Sequence, residues 1–338
     1  MITMLDVAKR AGVSKATVSR VLTGNNYVSQ TTKDRVFAAI EEMGYRPNLL
    51  ARQLATNKSQ SIGLVITNTL YNGPYFNELL FQAATMTEQH GRQLILADGK
   101  HSAAEEQQAI EFLFDLRCDA VVIYPRFLSI EALEDIIEQH EQPIMVVNRK
   151  LAQHEENGIC ADHQQHCFDA VNYLIDQGHR DIAFILGASD SPTGESRRLG
   201  YQQALEKRGI PLNDRLLVSG NWTPESGYAA VKTLHQRGAK FSALVASNDD
   251  MAIGAAKAFR EQGLTIPDDI SLLGFDDLPM ASWFHPPLTT VHVPVAEMIK
   301  RTLEKLLCML EGKIAAPSAK FEGSLIIRES VGKGPTAR

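Results

Sequence analysis

Two sets of residues have types and spacings that could do chemistry. The first is Lys15, Ala16 and Arg20, on the open face of a short helix whose other face is Val18, Val21 and Leu22. Arg20 can donate two hydrogen bonds to guanine, and Lys15 and Ala16 stand at the helix N-terminus, the end that meets base edges in a helix-turn-helix. Ser14, Thr17 and Ser19 are short hydroxyl donors suited to phosphate oxygens, which fix register without reading bases. On spacing alone, the same residues also fit a small helical bundle with an ordinary basic face.

The second set lies past the ends of apolar, β-rich runs. Asn148-Arg149 follows the Ile144 run, Asn248-Asp249 follows the Ala243 run, and Asp276-Asp277 follows Ser271–Phe275. Arg197 lies in the helix after the Ile182 run, and Trp222 follows Leu216–Gly220. Carbohydrate recognition needs such groups: planar polar side chains for vicinal hydroxyls and an aromatic face for the C–H surface. Asn248 and Asp276 could equally cap the helices that follow, and Trp222 could fill a core. Asp249, Asp250 and Asp277 fit either orienting partners or caps. Asn68, Tyr71 and Phe76 follow the first run and are candidates for a further wall.

Catalytic and metal readings fare worse. Adjacent residues at a strand end point in opposite directions, so Asp276-Asp277 makes a poor acid/nucleophile pair. No Gly-rich phosphate loop follows a strand; the only echo is Gly332-Lys333-Gly334 in the tail. Cys160 to Cys167 includes His163 and His166, but one eight-residue stretch would have to wrap a single ion, without the second pair that tetrahedral zinc sites draw on. It reads as a strand end and helix start, with Asp162 near the cap. No enzyme, metal or cofactor is expected.

The elements that must position these residues fall into three zones. Residues 1–46 read as three short helices. Thr3 and Asp6 begin the first, and Leu5, Val7, Ala8 and Ala11 form its apolar face. Gly12 turns the chain, Ser14 caps the second helix, and Ser29 or Thr31 caps the third, which carries Val36, Ile40 and Met43 and ends at Gly44. Pro47 breaks the chain, and Asn48–Ala55 could form two helical turns, too few to be stable without a partner. From Ser61, eight β-rich runs alternate with helical stretches every 25–35 residues or so, the signature of doubly wound parallel sheets. Eight units exceed one compact sheet, so two α/β lobes are expected. Gly332–Arg338 reads as disordered.

Length and charge agree with this division. At 338 residues the chain needs two or three domains. Its net charge of −6 conceals a split: residues 1–58 hold nine Lys/Arg against four Asp/Glu, the remainder 25 against 36. A basic module on an acidic body suits contact with phosphate at one end only. Four scattered cysteines imply reduced thiols. No basic-then-apolar leader and no apolar run of ~18 residues is present, so a cytoplasmic protein with no membrane partner is expected. The missing leader also argues against a transport receptor of the periplasmic type.

Leu5 to Leu22, continuing through Val28-Ser29, Gly44-Tyr45-Arg46-Pro47-Asn48 and Ala51-Arg52-Gln53-Leu54, resembles the headpiece of the LacI/GalR repressor family. Within it the pattern is nearest the branch that regulates β-glucoside use. The resemblance implies an all-α helix-turn-helix headpiece (1–46) and a hinge helix with linker (47–59). It further implies an α/β periplasmic-binding-protein-like core of two doubly wound parallel-sheet lobes, 60–159 with 291–318 and 160–288 with 320–331. By position it places Lys15, Ala16 and Arg20 at base edges, makes Asn48–Leu54 (with Ala51) the hinge helix, and makes Leu54 a minor-groove wedge. Asn148, Arg197, Trp222, Asn248 and Asp276 would line an effector cleft. The implied partners are double-stranded operator DNA, a small sugar effector and a second copy of the chain, the sugar relieving repression.

Overall fold

The computed structural model describes residues 2–22, 27–45, 58–67, 74–313 and 321–335. Two compact units divide at Gln60/Ser61.

The described residues of the first unit form three helices: α1 (Met4–Ala11), α2 (Lys15–Leu22) and α3 (Gln30–Met43). Thr3 and Asp6 form a reciprocal capping box, which also holds the Asp6 carboxyl below its usual pKa. Ser14 Oγ accepts from Thr17 N–H, and Ser29 caps α3. Gly12 and Gly44 end α1 and α3 at φ 65° and 62°, where a side chain would be strained. Val7, Ala8, Ala11, Val18, Val21, Val36, Ala39 and Tyr45 form the core. Leu5 departs from expectation: at 51% exposure it lies off the buried stripe, because Val7, Ala8 and Ala11 already fill it.

The second unit contains two sheets. Strands β1 (Ser61–Ile66), β2 (Gln93–Asp98), β3 (Ala120–Tyr124), β4 (Ile144–Val147) and β5 (Gly158–Ile159) lie in the order β2-β1-β3-β4-β5, all parallel. Side chains alternate between its faces: Ile62, Leu64 and Ile66 enter one apolar cluster and Val65 the other. Helix α4 (Pro74–Gln89) packs on the first face, α5 (Ala103–Asp115) and α6 (Ile130–Gln139) on the second.

Strands β6 (Ile182–Leu186), β7 (Leu217–Ser219), β8 (Ala243–Ala246), β9 (Ser271–Asp276), β10 (Thr289–His292) and β11 (Ser324–Ile326) form the second sheet, in the order β11-β10-β9-β8-β6-β7. Only β11 is antiparallel. Helices α7 (His163–Asp176) and α8 (Pro192–Lys207) cover one face, α9 (Pro224–Gln236) and α10 (Asp249–Glu261) the other. The short α11 (Pro279–Trp283) follows β9.

The chain passes between the sheets three times. It leaves β5 for α7; after β10 it returns as α12 (Val295–Leu310), whose Met298, Ile299, Leu303 and Leu306 join the first cluster. It then crosses back between Phe321, which bridges Ala161, and β11. The tail is the second departure from expectation. Ser330 is fully buried, Gly332 N–H donates to Ser271 Oγ and Gly334 N–H to Gln177 O, so residues 330–334 are fastened to the second lobe. Residues 336–338 lie outside the described ones.

Candidate nucleic-acid interface and ligand cleft

On the headpiece, α2 buries Val18 and Val21 and leaves Lys15, Ala16 and Arg20 exposed, the division its spacing predicts. Ser14 Oγ lies 2.9 Å from Thr17 Oγ1, so this pair rigidifies the helix start that presents Lys15 and Ala16. Tyr27, 97% exposed, joins Thr17, Arg20, Val28, Ser29 and Thr32 around a depression of about 640 Å³. Nothing in the spacing of the sequence singled Tyr27 out. Asn48, Ala51 and Leu54 lie outside the described residues, as do Asn68 and Tyr71.

In the body, both sheets reverse strand order beside their first strands, and ligands of such folds bind beyond the carboxyl ends of strands near those points. Four of the five expected cleft residues of the body meet there. Arg197, from the second turn of α8, is buried. Its Nη2 donates to Asp276 Oδ1 (3.0 Å) at the end of β9, and its Nη1 to Ser247 O past β8. The guanidinium stands 4.5 Å from the Phe275 ring centroid and 5.9 Å from that of Trp222. Asn248 caps α10 through Met251 N–H (2.9 Å) and donates from Nδ2 to Trp222 O (3.0 Å). Capping and site building are thus one role here.

Asn148, the fifth, lies beyond β4 in the first lobe and joins through His163, the first residue of α7. The His163 ring bonds Asn148 Oδ1 at 2.7 Å and meets Arg197 Nη2 at 3.5 Å. Asn148 Nδ2 donates to Tyr124 Oη (2.9 Å) and to Thr193 Oγ1 (3.2 Å) of the second lobe. Arg126 and Asp190 pair across the same gap at 2.8 Å. A cavity of about 620 Å³ opens beside Asn148, His163 and Thr193, lined also by Leu151, Cys160 and Pro192. Phe76 is placed differently: its ring is buried in the apolar cluster of the first lobe.

The backbone is strained where these residues sit. Asn148, Trp222, Asp276 and Asp277 have φ of 62°, 73°, 104° and 53°, conformations that cost roughly 1–3 kcal/mol each for a non-glycine residue and that cluster at functional sites. Packing holds them there. Asp249, fully buried, accepts from Leu278 N–H (2.8 Å) and Thr290 Oγ1–H (2.6 Å), clamping the loop that carries Asp276. Burial and neighbouring Asp276 push its pKa well up. Asp277 turns away to Arg328 (2.7 Å) and His292 (3.2 Å), so the two adjacent carboxylates serve different partners.

The Cys160–Cys167 stretch is a helix start. Asp162 caps α7 through Gln165 N–H, His166 Nε2 accepts from Gly323 N–H, and burial pushes the Cys167 thiol up to about 12. Among the described residues no cluster of His, Cys, Asp and Glu could hold a metal ion. No described helix is long and apolar enough to cross a membrane.

A helix-turn-helix headpiece followed by a two-lobed α/β body with polar groups gathered between its lobes defines a ligand-gated transcriptional regulator. Residues 3–48 match the bacterial regulatory proteins of the lacI family, and residues 171–331 match the periplasmic binding protein-like domain. The chain is 58% identical over 331 residues to the HTH-type transcriptional regulator AscG of Escherichia coli K12, covering 98% of each. It is similar to the crystal structure of the E. coli transcriptional repressor ascG, with a TM-score of 0.76 at 53% identity over 81% of this chain and 99% of that one. It is also similar to the lac repressor dimer bound to operator and the anti-inducer ONPF, with a TM-score of 0.89 at 27% identity over 98% and 99% of the two chains. The chain therefore belongs to the lacI family of bacterial regulatory proteins and is a helix-turn-helix transcriptional regulator.

Proposed function

We propose that the protein is a sugar-responsive repressor of a carbohydrate-utilisation operon, with β-glucosides the first class of effector to test. The observation that carries the sugar reading is Arg197. Its Nε is buried with no hydrogen-bond partner among the described residues, beside the Asp276 carboxylate and the Trp222 ring. A buried donor left unmatched costs roughly 1–3 kcal/mol, which a ligand hydroxyl would recover. A sugar hydroxyl can accept from Arg197 and donate to Asp276 while its C–H face covers Trp222; Asn148 and Asn248 complete the set. Asn68 and Tyr71 are assigned to the other wall, while Phe76 belongs to the core of the first lobe.

The division of labour follows the sequence reading: headpiece 1–46, hinge and linker 47–59, first lobe 60–159 with 291–318, second lobe 160–288 with 320–331. Two chains pair so that two copies of α2 meet a pseudo-palindromic operator in the cytoplasm. Lys15, Ala16 and Arg20 meet bases; Ser14, Thr17 and Ser19 meet phosphates; Asn48, Ala51 and Leu54 belong to the hinge helix, Leu54 as the wedge. The protein acts by binding, without catalysis or a cofactor. Closing the lobes on sugar moves the three crossing segments and weakens the operator grip, a coupling of roughly 1–3 kcal/mol that is reciprocal.

The test is an operator-fragment titration with a panel of mono- and disaccharides. Release by a β-glucoside, abolished in Arg197→Lys, is the expected result. Normal release of Arg197→Lys would put the pocket elsewhere, and tightening in place of release would reverse the sign.

A further inference from the structure

We propose that His163 is the positioning residue of the cleft: protonated on Nε2 and accepting at Nδ1, it joins Arg197 of one lobe and Asn148 of the other into one hydrogen-bonded unit and so fixes which polar atoms a ligand meets. The proposal rests on the saccharide reading above.

The tautomer follows from the partners. A guanidinium only donates, so His163 Nδ1, 3.5 Å from Arg197 Nη2, must accept. The ring proton is then on Nε2, and the Asn148 atom 2.7 Å away must be the amide oxygen. That orients the amide: both Nδ2 hydrogens point into the protein, at Tyr124 Oη and Thr193 Oγ1. Asn148 therefore offers a ligand a lone pair on Oδ1 and no donor, while Arg197, held by Asp276 and Ser247, offers the Nε–H. A ligand hydroxyl at Asn148 must then donate, and one that reaches Arg197 must accept.

The surroundings keep the ring in that form. His163 is buried, and the groups facing it are Arg197 from α8, His166 from the next turn of α7, and Arg149 beyond β4. Burial first, then these cationic or potentially cationic neighbours, holds its pKa well below the usual histidine value. A second ring proton would sit on Nδ1 and point at Arg197, breaking the unit. The location matters as well. His163 follows the cap Asp162 where the chain crosses from β5 to α7, so its bond to Asn148 ties a crossing segment to a strand end.

The experiment uses the full chain, with cellobiose and methyl β-glucoside as probes, comparing wild type, His163→Leu and His163→Gln by calorimetric titration. His163→Leu removes both bonds and lowers affinity about tenfold. His163→Gln restores an N–H toward Asn148 and recovers most of that loss, which a purely space-filling role would not show. Equal affinity in all three proteins, or equal loss in both variants, overturns the proposal. If wild type binds neither probe yet holds operator DNA, the saccharide reading fails. His163 is then decided by ¹⁵N-histidine NMR, its signals assigned by their loss in His163→Gln. An Nε2–H tautomer whose exchange protection disappears in Asn148→Ala supports the proposal, and an Nδ1–H tautomer or insensitivity to Asn148→Ala overturns it.

Discussion

A Cβ placed on Gly187 would lie 2.3 Å from Trp222 Cζ2 and 2.5 Å from Cη2. The indole therefore packs directly on the backbone that leaves β6, and its strained φ of 73° is kept by that contact and by the Asn248 bond to its carbonyl. Gly187→Ala must push the ring away or shift the strand end, overpacking that costs about 1–3 kcal/mol. The expected outcome is weaker saccharide binding with altered tryptophan fluorescence. An unshifted spectrum and unchanged affinity would show that the ring has room to yield.

Asp249 makes a pH prediction. Its raised pKa means that the folded protein retains a proton which the unfolded chain releases at an ordinary carboxylate pKa of about 4. Protons then favour the folded state, so this group's stabilisation is complete below the unfolded pKa and is lost as pH rises toward the folded one. Asp249→Asn can still accept from Leu278 and donate to Thr290 Oγ1, so it should fold and lack that slope. Urea denaturation of both proteins from about pH 4 to about pH 8 checks it. A wild-type-minus-variant difference that is flat, or that rises with pH, would refute the assignment.

How much of this was legible beforehand depended on where the deciding interactions lie. Eight of the described strands, including the edge strands β2 and β7, are short, mostly apolar runs and are legible as such. The three unread strands are two, four and three residues long, and Thr289-Thr290-Val291-His292 is polar enough that only its pairing with β9 and β11 makes it a strand. Asn148, Trp222, Asn248 and Asp276 announce themselves by following strand ends. His163, Tyr124 and Thr193 do not, because their roles come from tertiary contacts with Asn148 across 15 to 45 positions, those of His163 and Thr193 between lobes. For His163 the sequence offers only its metal-ligand residue type within Cys160–Cys167 and its place just after the cap Asp162. The tail misled for the same reason: its Gly-rich composition suits disorder, while its anchors on Ser271 and Gln177 are tertiary.

Those anchors include His179, buried between Ser242 Oγ (2.8 Å) and Gly332 O (3.2 Å). Burial lowers its pKa, partly offset by the Gly332 carbonyl. Its stabilisation is present above the ordinary histidine value of about 6.5 and is lost as pH falls toward the folded pKa. His179→Ala should cost roughly 1–3 kcal/mol by leaving buried groups unpartnered. It should also speed carboxypeptidase trimming beyond Ser330, as acidification should in wild type. Trimming at the wild-type rate would mean that the Ser271 and Gln177 bonds hold the tail without it.

Arg20 tests the other end of the molecule. It is exposed on α2 opposite the buried Val18 and Val21, beside the depression bordered by Thr17 and Tyr27. A guanidinium that reads a guanine edge contributes discrimination at one base pair, whereas one that meets phosphate weakens every sequence alike. Arg20→Ala should therefore lose about 1–3 kcal/mol on the preferred operator and much less on a fragment altered at that pair. Binding assays on a set of singly substituted operators at fixed salt separate the two. A uniform loss over all fragments, with a shallower salt dependence, would assign Arg20 to the backbone and leave base reading to Lys15 and its neighbours on α2.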